Sequence, residues 1–380
     1  MTFSALGLSA PLIKAIGDQN YAKPYPIQEK AIPAILQGRD ILGISKTGSG
    51  KTASYALPIL ELFQKSKNKR DRHVRALVIV PTRELAVQVS DVFKAFCKHL
   101  PERIKTMAVY GGVSINPQMI NLHNTDVLIA TPGRLLDLID NKAIHLADVE
   151  VLVLDEADKM LDLGFEEEIT KILALLPAKR QNILFSATLS NNINDIQANL
   201  LNNPLTIEIV EAEHNIDLIE QVAYNVTPER KGPLLRYLIR HENMTQVLVF
   251  TSAIRVADNL VGKLLKNNIH AASLHGHLSQ TARLETLQRF KAGKLRVLVA
   301  SDLASRGIDI QELPVVINYE LPRSPKDYVH RIGRTGRAEA PGKAITLVCP
   351  EDQHHFGIIQ KKMGKKVEMR ESDNIDLQGV

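Results

Sequence analysis

Short runs of consecutive apolar residues recur along the chain, and each is about as long as one β-strand. Five of them lie in the first half, at 40–45, 75–82, 125–132, 149–156 and 181–188. They are rich in Val, Ile and Leu, which is typical of strands that are buried on both faces of a sheet. Helical patterns lie between them, as at 83–100 and at 132–141, where Pro132 stands near a helix start. This alternation predicts an α/β fold, in which a parallel sheet carries helices on both faces.

The alternation fades over 201–226, where Pro204 and several acidic residues replace the helical pattern. It then resumes with four more strand-like runs, at 245–253, 294–302, 314–320 and 343–350. A chain of 380 residues is also too long for one ordinary core. We therefore predict two tandem α/β domains, with a first domain at 1–205, a linker at 206–222, a second domain at 223–366 and a fraying polar tail at 367–380.

Composition narrows the classes of partner. A net charge of +5 and a pI of about 9.0 allow a polyanionic partner without demanding one. Aromatic residues make up only 4% of the chain, so a platform for base stacking is not indicated. No apolar run is long enough to cross a membrane, and the first twenty residues lack the pattern of a secretory signal. Cys97 and Cys349 have no metal-binding or redox spacing, so we expect a cytoplasmic protein without a membrane partner.

A glycine-rich segment, "SKTGSGKT" at 45–52, directly follows the first strand-like run. Glycines let backbone N–H groups converge on phosphate oxygens, while the lysine pairs with the β- and γ-phosphates and the threonine ligates Mg²⁺. Ser45 replaces the glycine that opens the strict pattern, but serine is small. The segment predicts binding of ATP or GTP by five residues: Gly48, Ser49, Gly50, Lys51 and Thr52.

The fourth strand-like run leads into "DEAD" at 155–158, which places three carboxylates within four positions. Such a cluster at the end of a buried strand repels itself and resists burial unless a cation is bound. We predict that Asp155 holds Mg²⁺, through water, beside the phosphates of the nucleotide. Glu156 is then available to orient and deprotonate the attacking water.

These two segments resemble the DEAD-box ATP-dependent RNA helicases. Further motifs follow in that family's order: "PTRELA" at 81–86, "GG" at 111–112, "TPGR" at 131–134, "SAT" at 186–188, "LVFTSA" at 248–253, "ASRGID" at 304–309 and "HRIGRTGR" at 330–337. The resemblance covers about residues 3–365. It implies two tandem RecA-like domains, ATP and Mg²⁺ as cofactors, and RNA as the partner, either single-stranded or as a short duplex.

The resemblance also implies how the adenine is recognised. Gln28 offers a donor and an acceptor to the adenine edge, which favours ATP over GTP. Tyr21 stacks on the ring, and Phe3 matches an aromatic residue that the family has further upstream. Two residues depart from the family pattern, because Asn20 replaces the usual Gly and Tyr25 replaces the usual Thr.

The remaining roles likewise follow from the resemblance. Arg334 and Arg337 stabilise charge on the γ-phosphate, and Asp309 contacts the ribose. These three residues lie in the second domain, so the catalytic site is complete only when the two domains close. Asp158, Ser186 and Thr188 resemble the family's coupling residues. The hydroxyl groups of Ser186 and Thr188 are expected to form hydrogen bonds with Asp158 and with neighbours of the metal site.

Contacts to RNA are expected to reach mostly phosphate and sugar, which carry no sequence information. The predicted residues are Arg83, Gly112, Thr131 and Arg134 in the first domain, and Gln280, Arg283 and Ser301 in the second. An ordinary surface role stays open for the three arginines. The family usually has Thr where Ser301 stands, but the hydroxyl group is retained. The choice of RNA over DNA follows from the resemblance and from readout of the 2′-hydroxyl.

The motif set predicts an enzyme in which RNA-stimulated ATP hydrolysis drives domain closure and local unwinding or remodelling of RNA duplexes. An alternative is an ATP-gated RNA clamp that unwinds little, because the same motifs serve both activities. A DNA helicase on the same fold is a third hypothesis. Nothing in the sequence names the natural RNA, and ribosome assembly, RNA decay and cold adaptation are all compatible.

Overall fold

The computed structural model describes residues 2–45, 49–64, 71–188, 191–209, 219–301, 313–336 and 342–377, with the side chains of 191–195 excepted. The chain divides into two compact units, Met1–Glu211 and Ala212–Val380. In the described part of the chain, no helix is long and apolar enough to cross a membrane.

The first unit is built on a seven-stranded parallel sheet with the strand order β3-β4-β2-β5-β6-β1-β7. Its strands are β1 Ile41–Ile44, β2 Ala76–Ile79, β3 Thr106–Val109, β4 Val127–Ala130, β5 Val151–Leu154, β6 Gln181–Ser186 and β7 Leu205–Glu208. Alternate residues of the central strands point into two separate apolar cores, one on each face of the sheet. Leu77 and Val78 on β2 illustrate this, since they belong to different cores.

Helices cover both faces of the first sheet. They are α1 Ala10–Asp18, α2 Pro26–Leu36, α3 Lys51–Phe63, α4 Arg83–Cys97, α5 Ile115–Asn121, α6 Pro132–Asp140, α7 Ala157–Asp162, α8 Glu166–Ala174 and α9 Asn191–Leu200, preceded by a 3₁₀ helix at Phe3–Leu6. The core on one face is formed with α2, α3 and α4, and the core on the other with α6 and α8. This is the two-sided α/β arrangement that the sequence predicts.

The second unit repeats this plan. Its strands are β8 Ile219–Asn225, β9 Val247–Thr251, β10 Ala271–Leu274, β11 Val297–Ser301, β12 Val315–Asn318, β13 Gly342–Val348 and β14 Glu368–Glu371. Its helices are α10 Pro228–His241, α11 Ile254–Lys266, α12 Gln280–Lys291, α13 Pro325–Ile332 and α14 Gln353–Met363, with a 3₁₀ helix at Pro350–Asp352. The strand order, β10-β11-β9-β12-β13-β8-β14, is position for position that of the first sheet.

The structure corrects the predicted domain boundaries at both ends of the linker. Residues 206–208 belong to β7, which pairs with β1, and residues 219–222 belong to β8, which pairs with β13. The predicted polar tail contains β14, which adds an edge strand beside β8. Both β7 and β14 are edge strands with at most one buried residue. Their stability therefore comes from backbone hydrogen bonds, which leave no apolar pattern in the sequence.

Candidate nucleotide and RNA sites at the strand ends

The carboxyl ends of three neighbouring strands carry the residues predicted to bind nucleotide. The glycine-rich segment follows β1, "SAT" ends β6, and "DEAD" follows β5. The strand order β5-β6-β1 and the pairing of Ile44 with Ser186 place these ends side by side. In open parallel sheets, ligands bind outside the carboxyl ends of the strands, so this edge is the candidate nucleotide site.

The described residues of the phosphate loop converge on the start of α3. Lys51 is buried, and its Nζ donates a 2.8 Å hydrogen bond to the carbonyl oxygen of Ser45. The hydroxyl groups of Ser45 and Ser49 lie 2.9 Å apart. Gly50 has φ +87°, and a Cβ atom there would overlap the amide of Gln28, so only glycine fits. Gly48 lies outside the residues that the structure describes.

Gln28 joins the predicted adenine-recognition segment to this loop. It is fully buried; its Oε1 accepts from the backbone N–H of Tyr25 at 3.0 Å, and its Nε2 donates to the carbonyl oxygen of Gly50 at 3.1 Å. A glutamine amide has two donor hydrogens and two acceptor lone pairs. One of each therefore remains for a ligand, which is the pair that recognition of an adenine edge requires.

The aromatic residues of this segment pack on the core of the first unit. The ring of Tyr21 lies between Phe3 and Phe96, at centroid distances of 6.3 and 6.2 Å. Asn20 has φ +58°, in the left-handed region where the family has glycine. Because asparagine adopts this conformation more readily than most residues, the substitution keeps the turn.

The acidic cluster contains buried oxygen atoms that no described donor satisfies. Asp155 is only 2% exposed, and its Oδ1, Oε2 of Glu156 and Oδ1 of Asp158 are all buried without a hydrogen bond in the described part of the chain. Burial raises the pKa of Asp155, while the charge of Lys51 opposes that rise. Leaving such groups unpaired is costly, so the cluster fits a cation with oxygen ligands.

The fit is to Mg²⁺ rather than to a metal held by a complete protein cage. No group of three or more His, Cys, Asp or Glu side chains converges on one point among the described residues. Mg²⁺ keeps several waters and is usually bound through one or two carboxylates together with substrate phosphates. Asp155 and the hydroxyl group of Thr52 stay the residues predicted to hold it.

Tyr55 is a residue of this site that the sequence analysis missed. Its hydroxyl group donates a 2.9 Å hydrogen bond to Oδ2 of Asp155, and both side chains are buried. Burial and the charge of Asp155 raise the pKa of Tyr55 well above its usual value, so the hydroxyl group stays a donor. Tyr55 fixes one oxygen of Asp155 and leaves the other for a ligand. Its spacing of four from Lys51, which places both on one face of α3, is the only signal in the sequence.

The backbone orients Glu156. This residue has φ +54° and ψ +48°, a left-handed conformation that costs a non-glycine residue about 1–2 kcal/mol. Its Oε1 lies 2.9 Å from Nζ of Lys159, which leaves Oε2 as the oxygen without a donor. Backbone strain of this kind is often found at catalytic sites.

Asp158 links the acidic cluster to the end of β6. Its Oδ2 accepts from the backbone N–H of Ala187 at 3.2 Å and from the hydroxyl group of Thr188 at 3.4 Å. Ser186 lies differently from the prediction, since its hydroxyl group donates to the carbonyl oxygen of Thr188 at 2.7 Å. Thus Thr188 contacts Asp158 directly, whereas Ser186 shapes the turn that carries Thr188.

The residues predicted to bind RNA in the first unit follow β2, β3 and β4, on the other half of the same edge. Arg83 begins α4 after β2, and its guanidinium group lies against Gly112, which follows β3. Gly112 has φ +76°, and a Cβ atom there would overlap that guanidinium group. Thr131 follows β4 and is buried. The fold therefore brings these residues to one edge.

Arg134 and Gln118 hold the turn after β3. Arg134 is only 8% exposed and donates to the carbonyl oxygen of Val113 at 2.9 Å, so the ordinary surface role is excluded. Gln118, which the sequence analysis missed, accepts from the backbone N–H of Tyr110 at 3.0 Å and donates to its carbonyl oxygen at 3.1 Å. The side-chain amide of Gln118 thus pairs with the backbone of Tyr110 as a neighbouring strand would, and the sequence gives no signal for such a role.

The predicted RNA-binding residues of the second unit lie on the equivalent strands. Ser301 ends β11 and pairs in register with Thr251, which ends β9. Gln280 begins α12, the helix after β10, and Arg283 follows one turn later. Strands β9, β10 and β11 correspond to β2, β3 and β4 in the shared topology. Both units therefore present their predicted RNA-binding residues at the same half of the sheet edge.

The second unit carries three residues predicted to contact the nucleotide. Two of them, Asp309 and Arg337, lie outside the described residues. Arg334 follows α13, and its carbonyl oxygen accepts from the backbone N–H of Leu313 at 3.1 Å. The neighbouring Arg331 is buried and donates to Oδ1 of Asn318 at 3.1 Å. Arg331 therefore has a structural role within the second unit.

Comparison with known proteins finds matches over both units of the chain. The family model of the DEAD/DEAH box helicases matches residues 25–196, and that of the helicase conserved C-terminal domain matches 230–339. The DEAD-box ATP-dependent RNA helicase RhpA of Helicobacter pylori is 41% identical over 99% of this chain and 75% of its own length. The ATP-dependent RNA helicase CshA of Listeria monocytogenes is 41% identical over 96% of this chain and 69% of its own length.

A solved structure extends the likeness to the fold. Dbp5 of S. cerevisiae, bound to RNA and ADP BeF3, is 31% identical to this chain, with a TM-score of 0.82 over 98% of this chain and 96% of that chain. These matches cover both units and both sets of strand ends described above. The chain therefore belongs to the DEAD-box ATP-dependent RNA helicases.

Proposed function

We propose that the first unit binds ATP with Mg²⁺ at the carboxyl ends of β1, β6 and β5, and that RNA-stimulated hydrolysis of this ATP remodels short RNA duplexes. The observation that carries the proposal is the set of three buried carboxylate oxygens that have no donor among the described residues, on the same sheet edge as Lys51. The relatives named as ATP-dependent RNA helicases, and a Dbp5 structure with RNA and ADP BeF3, support both ligands.

The residues of the first unit divide the chemistry among themselves. Lys51 exchanges its bond to the carbonyl oxygen of Ser45 for the β- and γ-phosphates. Thr52 and Asp155 would hold Mg²⁺, which when bound neutralises negative charge on the phosphates. Glu156 orients the attacking water and accepts its proton at Oε2, the oxygen that lacks a donor in the described part of the chain.

The second unit contributes charge and further RNA contacts in this proposal. Arg334 and Arg337 stabilise the charge on the γ-phosphate once ATP and RNA have closed the two domains, and Asp309 contacts the ribose. RNA is held through its backbone by the predicted residues of both units, so binding is mostly independent of sequence. The link from Asp158 to Thr188 is proposed to couple nucleotide state to RNA binding.

The first experiment measures the ATPase rate at one salt concentration, without nucleic acid, with single-stranded RNA, and with DNA of the same sequence. Stimulation by RNA alone, together with ATP-dependent release of a strand from a short RNA duplex, is the expected result. Equal stimulation by DNA would refute the choice of RNA. Stimulation without strand release, together with long-lived RNA complexes on a non-hydrolysable analogue, would favour the clamp. The cytoplasmic location stays a prediction.

A further inference from the structure

We propose that the second unit carries an additional RNA-binding surface at the amino ends of β9, β10 and β11, opposite the strand ends that carry Gln280, Arg283 and Ser301. We call this surface the basic edge. It comprises Lys263, Lys266, Arg289, Lys291 and Lys294. The inference rests on the proposed function, because it assumes that RNA is the partner.

Three turns meet at this end of the sheet, each joining a helix to one of three neighbouring strands. The backbone N–H of Arg296, before β11, donates to the carbonyl oxygen of His270, before β10, at 3.0 Å. The Nη2 of Arg240, at the end of α10, donates to the carbonyl oxygen of Asn267 at 2.6 Å. These bonds hold the ends of α10, α11 and α12 together, so their basic residues share one surface.

The basic edge has little compensating negative charge. Its five side chains are exposed, and none forms an ion pair with a carboxylate in the part of the chain that the structure describes. The segments at this end of the sheet, 240–246, 263–270 and 289–296, contain seven Lys and Arg residues against Glu242 alone. This excess of six positive charges is larger than the net charge of +5 of the whole chain. Glu242 is engaged elsewhere, 2.5 Å from Nζ of Lys343 at the start of β13.

The first unit shows that the fold does not require this imbalance. At the amino ends of its equivalent strands, basic groups face carboxylates. Arg75 lies 2.6 Å from Glu150, and His123 lies 2.7 Å from Asp71. The two units share one topology, so the difference lies in the sequence of the second unit and not in its architecture.

Helix dipoles explain only part of the pattern. Lys263, Lys266, Arg289 and Lys291 lie in the last turns of α11 and α12, where positive charge is favoured by about 0.3–1 kcal/mol per residue. Lys294 lies beyond any helix, and a dipole does not disfavour acidic residues on the neighbouring turns. Exposed like charges without counterparts repel each other, and a chain of phosphates relieves that repulsion while releasing counterions.

RNA is the polyanion that this molecule already binds in the proposed function. The basic edge and the predicted RNA-binding residues lie at opposite ends of the same strands, and four or five residues of a strand span about 13–17 Å. A short RNA occupies only the predicted residues, whereas a longer RNA continues to the basic edge. The surface therefore adds affinity for longer RNA and takes no part in hydrolysis.

The test compares two sets of substitutions in the full chain. The first set is Lys266→Gln, Lys291→Gln and Lys294→Gln on the basic edge. The control set is Lys361→Gln, Lys362→Gln and Lys366→Gln on and after α14, which are equally exposed and remove the same charge from the same unit. Fluorescence anisotropy then measures affinity for single-stranded RNA of about 10 and about 40 nucleotides, over about 50–200 mM salt.

We expect the basic-edge set to weaken binding of the longer RNA about 10-fold or more at about 0.1 M salt, and binding of the shorter RNA less than about 2-fold. A plot of the logarithm of the RNA association constant against the logarithm of the salt concentration should become less steep for the longer RNA. Each lost phosphate contact lowers the magnitude of the slope by about 0.7, so three lost contacts lower it by about 2. The ATPase rate at saturating short RNA should match that of the unsubstituted chain.

If the basic-edge set binds the longer RNA with unchanged affinity, or if the control set loses as much affinity, the proposal of the basic edge is overturned. In that case, RNA-stimulated ATPase activity of the unsubstituted chain still supports the proposed function. Absence of any RNA stimulation in the unsubstituted chain would overturn both.

Discussion

The substitution Tyr55→Phe removes one buried hydroxyl group and little else. The ring of Tyr55 packs against Phe93 and Phe185, at centroid distances of 6.2 and 5.8 Å, and phenylalanine retains these contacts. What is lost is the 2.9 Å hydrogen bond to Oδ2 of Asp155. After the substitution, neither oxygen of this buried carboxylate has a side-chain donor in the described part of the chain.

The expected cost follows from the charge of the acceptor. A hydrogen bond to an ionised group contributes about 1.5–3 kcal/mol, and its loss here leaves a buried charge less satisfied. For a unit of about 200 residues, 1 kcal/mol corresponds to about 2–4 °C in Tm, so the first unit should melt about 3–12 °C lower. Asp155 also becomes free to rotate, and loss of an orienting partner typically weakens a metal site about 10-fold or more.

Two measurements separate these effects. Calorimetry of the full chain reports the melting of the first unit, and titration with a fluorescent ADP analogue, in EDTA and in Mg²⁺, reports how much the metal tightens nucleotide binding. We expect Tyr55→Phe to bind the analogue normally in EDTA and to lose about 10-fold of the tightening by Mg²⁺.

Tyr328→Phe is the matched control. Tyr328 is also fully buried, but its hydroxyl group pairs with the neutral hydroxyl group of Thr346 at 3.0 Å in the second unit. Its loss should cost only about 0.5–1.5 kcal/mol and leave the effect of Mg²⁺ unchanged. If Tyr55→Phe is no less stable than Tyr328→Phe and keeps the full effect of Mg²⁺, the hydroxyl group of Tyr55 does not orient Asp155.

Four further substitutions or reactions test other parts of the site. Glu156→Gln should bind ATP and RNA but hydrolyse ATP about 10²–10⁴-fold more slowly in a single-turnover assay, and near-normal turnover would refute its role as base. Asp155→Asn should stabilise the free protein at pH 7 by about 0.5–2 kcal/mol in chemical unfolding, because the raised pKa of Asp155 means that its ionised form disfavours folding. This gain should shrink as the pH falls below the raised pKa and vanish below the ordinary pKa of the carboxyl group, and a gain independent of pH would contradict it. Gln118→Ala removes two hydrogen bonds to the backbone of Tyr110. It should raise the RNA concentration that gives half-maximal ATPase activity about 10-fold and leave the maximal rate unchanged. A fall in the maximal rate alone would argue against a positioning role for Gln118. Burial raises the pKa of Cys97 to about 12, so its thiol should resist a disulfide reagent at pH 8 until the protein is unfolded, and rapid labelling of the native protein would contradict that burial.

Except for β8, the interior strands of both sheets were predictable from the sequence, whereas the edge strands were not. Each of the nine strand-like runs overlaps a strand, because a strand buried on both faces leaves a continuous apolar run. Four of the five strands without a prediction are the outer strands β3, β7, β10 and β14. An edge strand is partly exposed and carries polar residues, so its sequence resembles that of a loop.

The site shows a similar division. Residues proposed to bind ligand through a fixed chemical pattern, such as Lys51 and Asp155, could be named from the sequence because strand, loop and acid occur in order. Tyr55 and Gln118 were not, because each acts by a contact to another residue far along the chain or in a turn. A tyrosine in an apolar helix is ordinarily core, and only the three-dimensional fold shows that its hydroxyl group meets a carboxylate one hundred residues away.

The arrangement of strand ends gives a physical reason why the proposed nucleotide and RNA sites are close enough to be coupled within the first unit. The backbone N–H of Asp155 donates to the carbonyl oxygen of Ile79 at 3.0 Å, and that of Val80 donates to the carbonyl oxygen of Ala130 at 3.0 Å. The nucleotide half and the RNA half of the edge are therefore joined by backbone hydrogen bonds, not by side chains alone. Since coupling between two binding sites is reciprocal, whatever change ATP makes in the affinity for RNA must equal the change that RNA makes in the affinity for ATP.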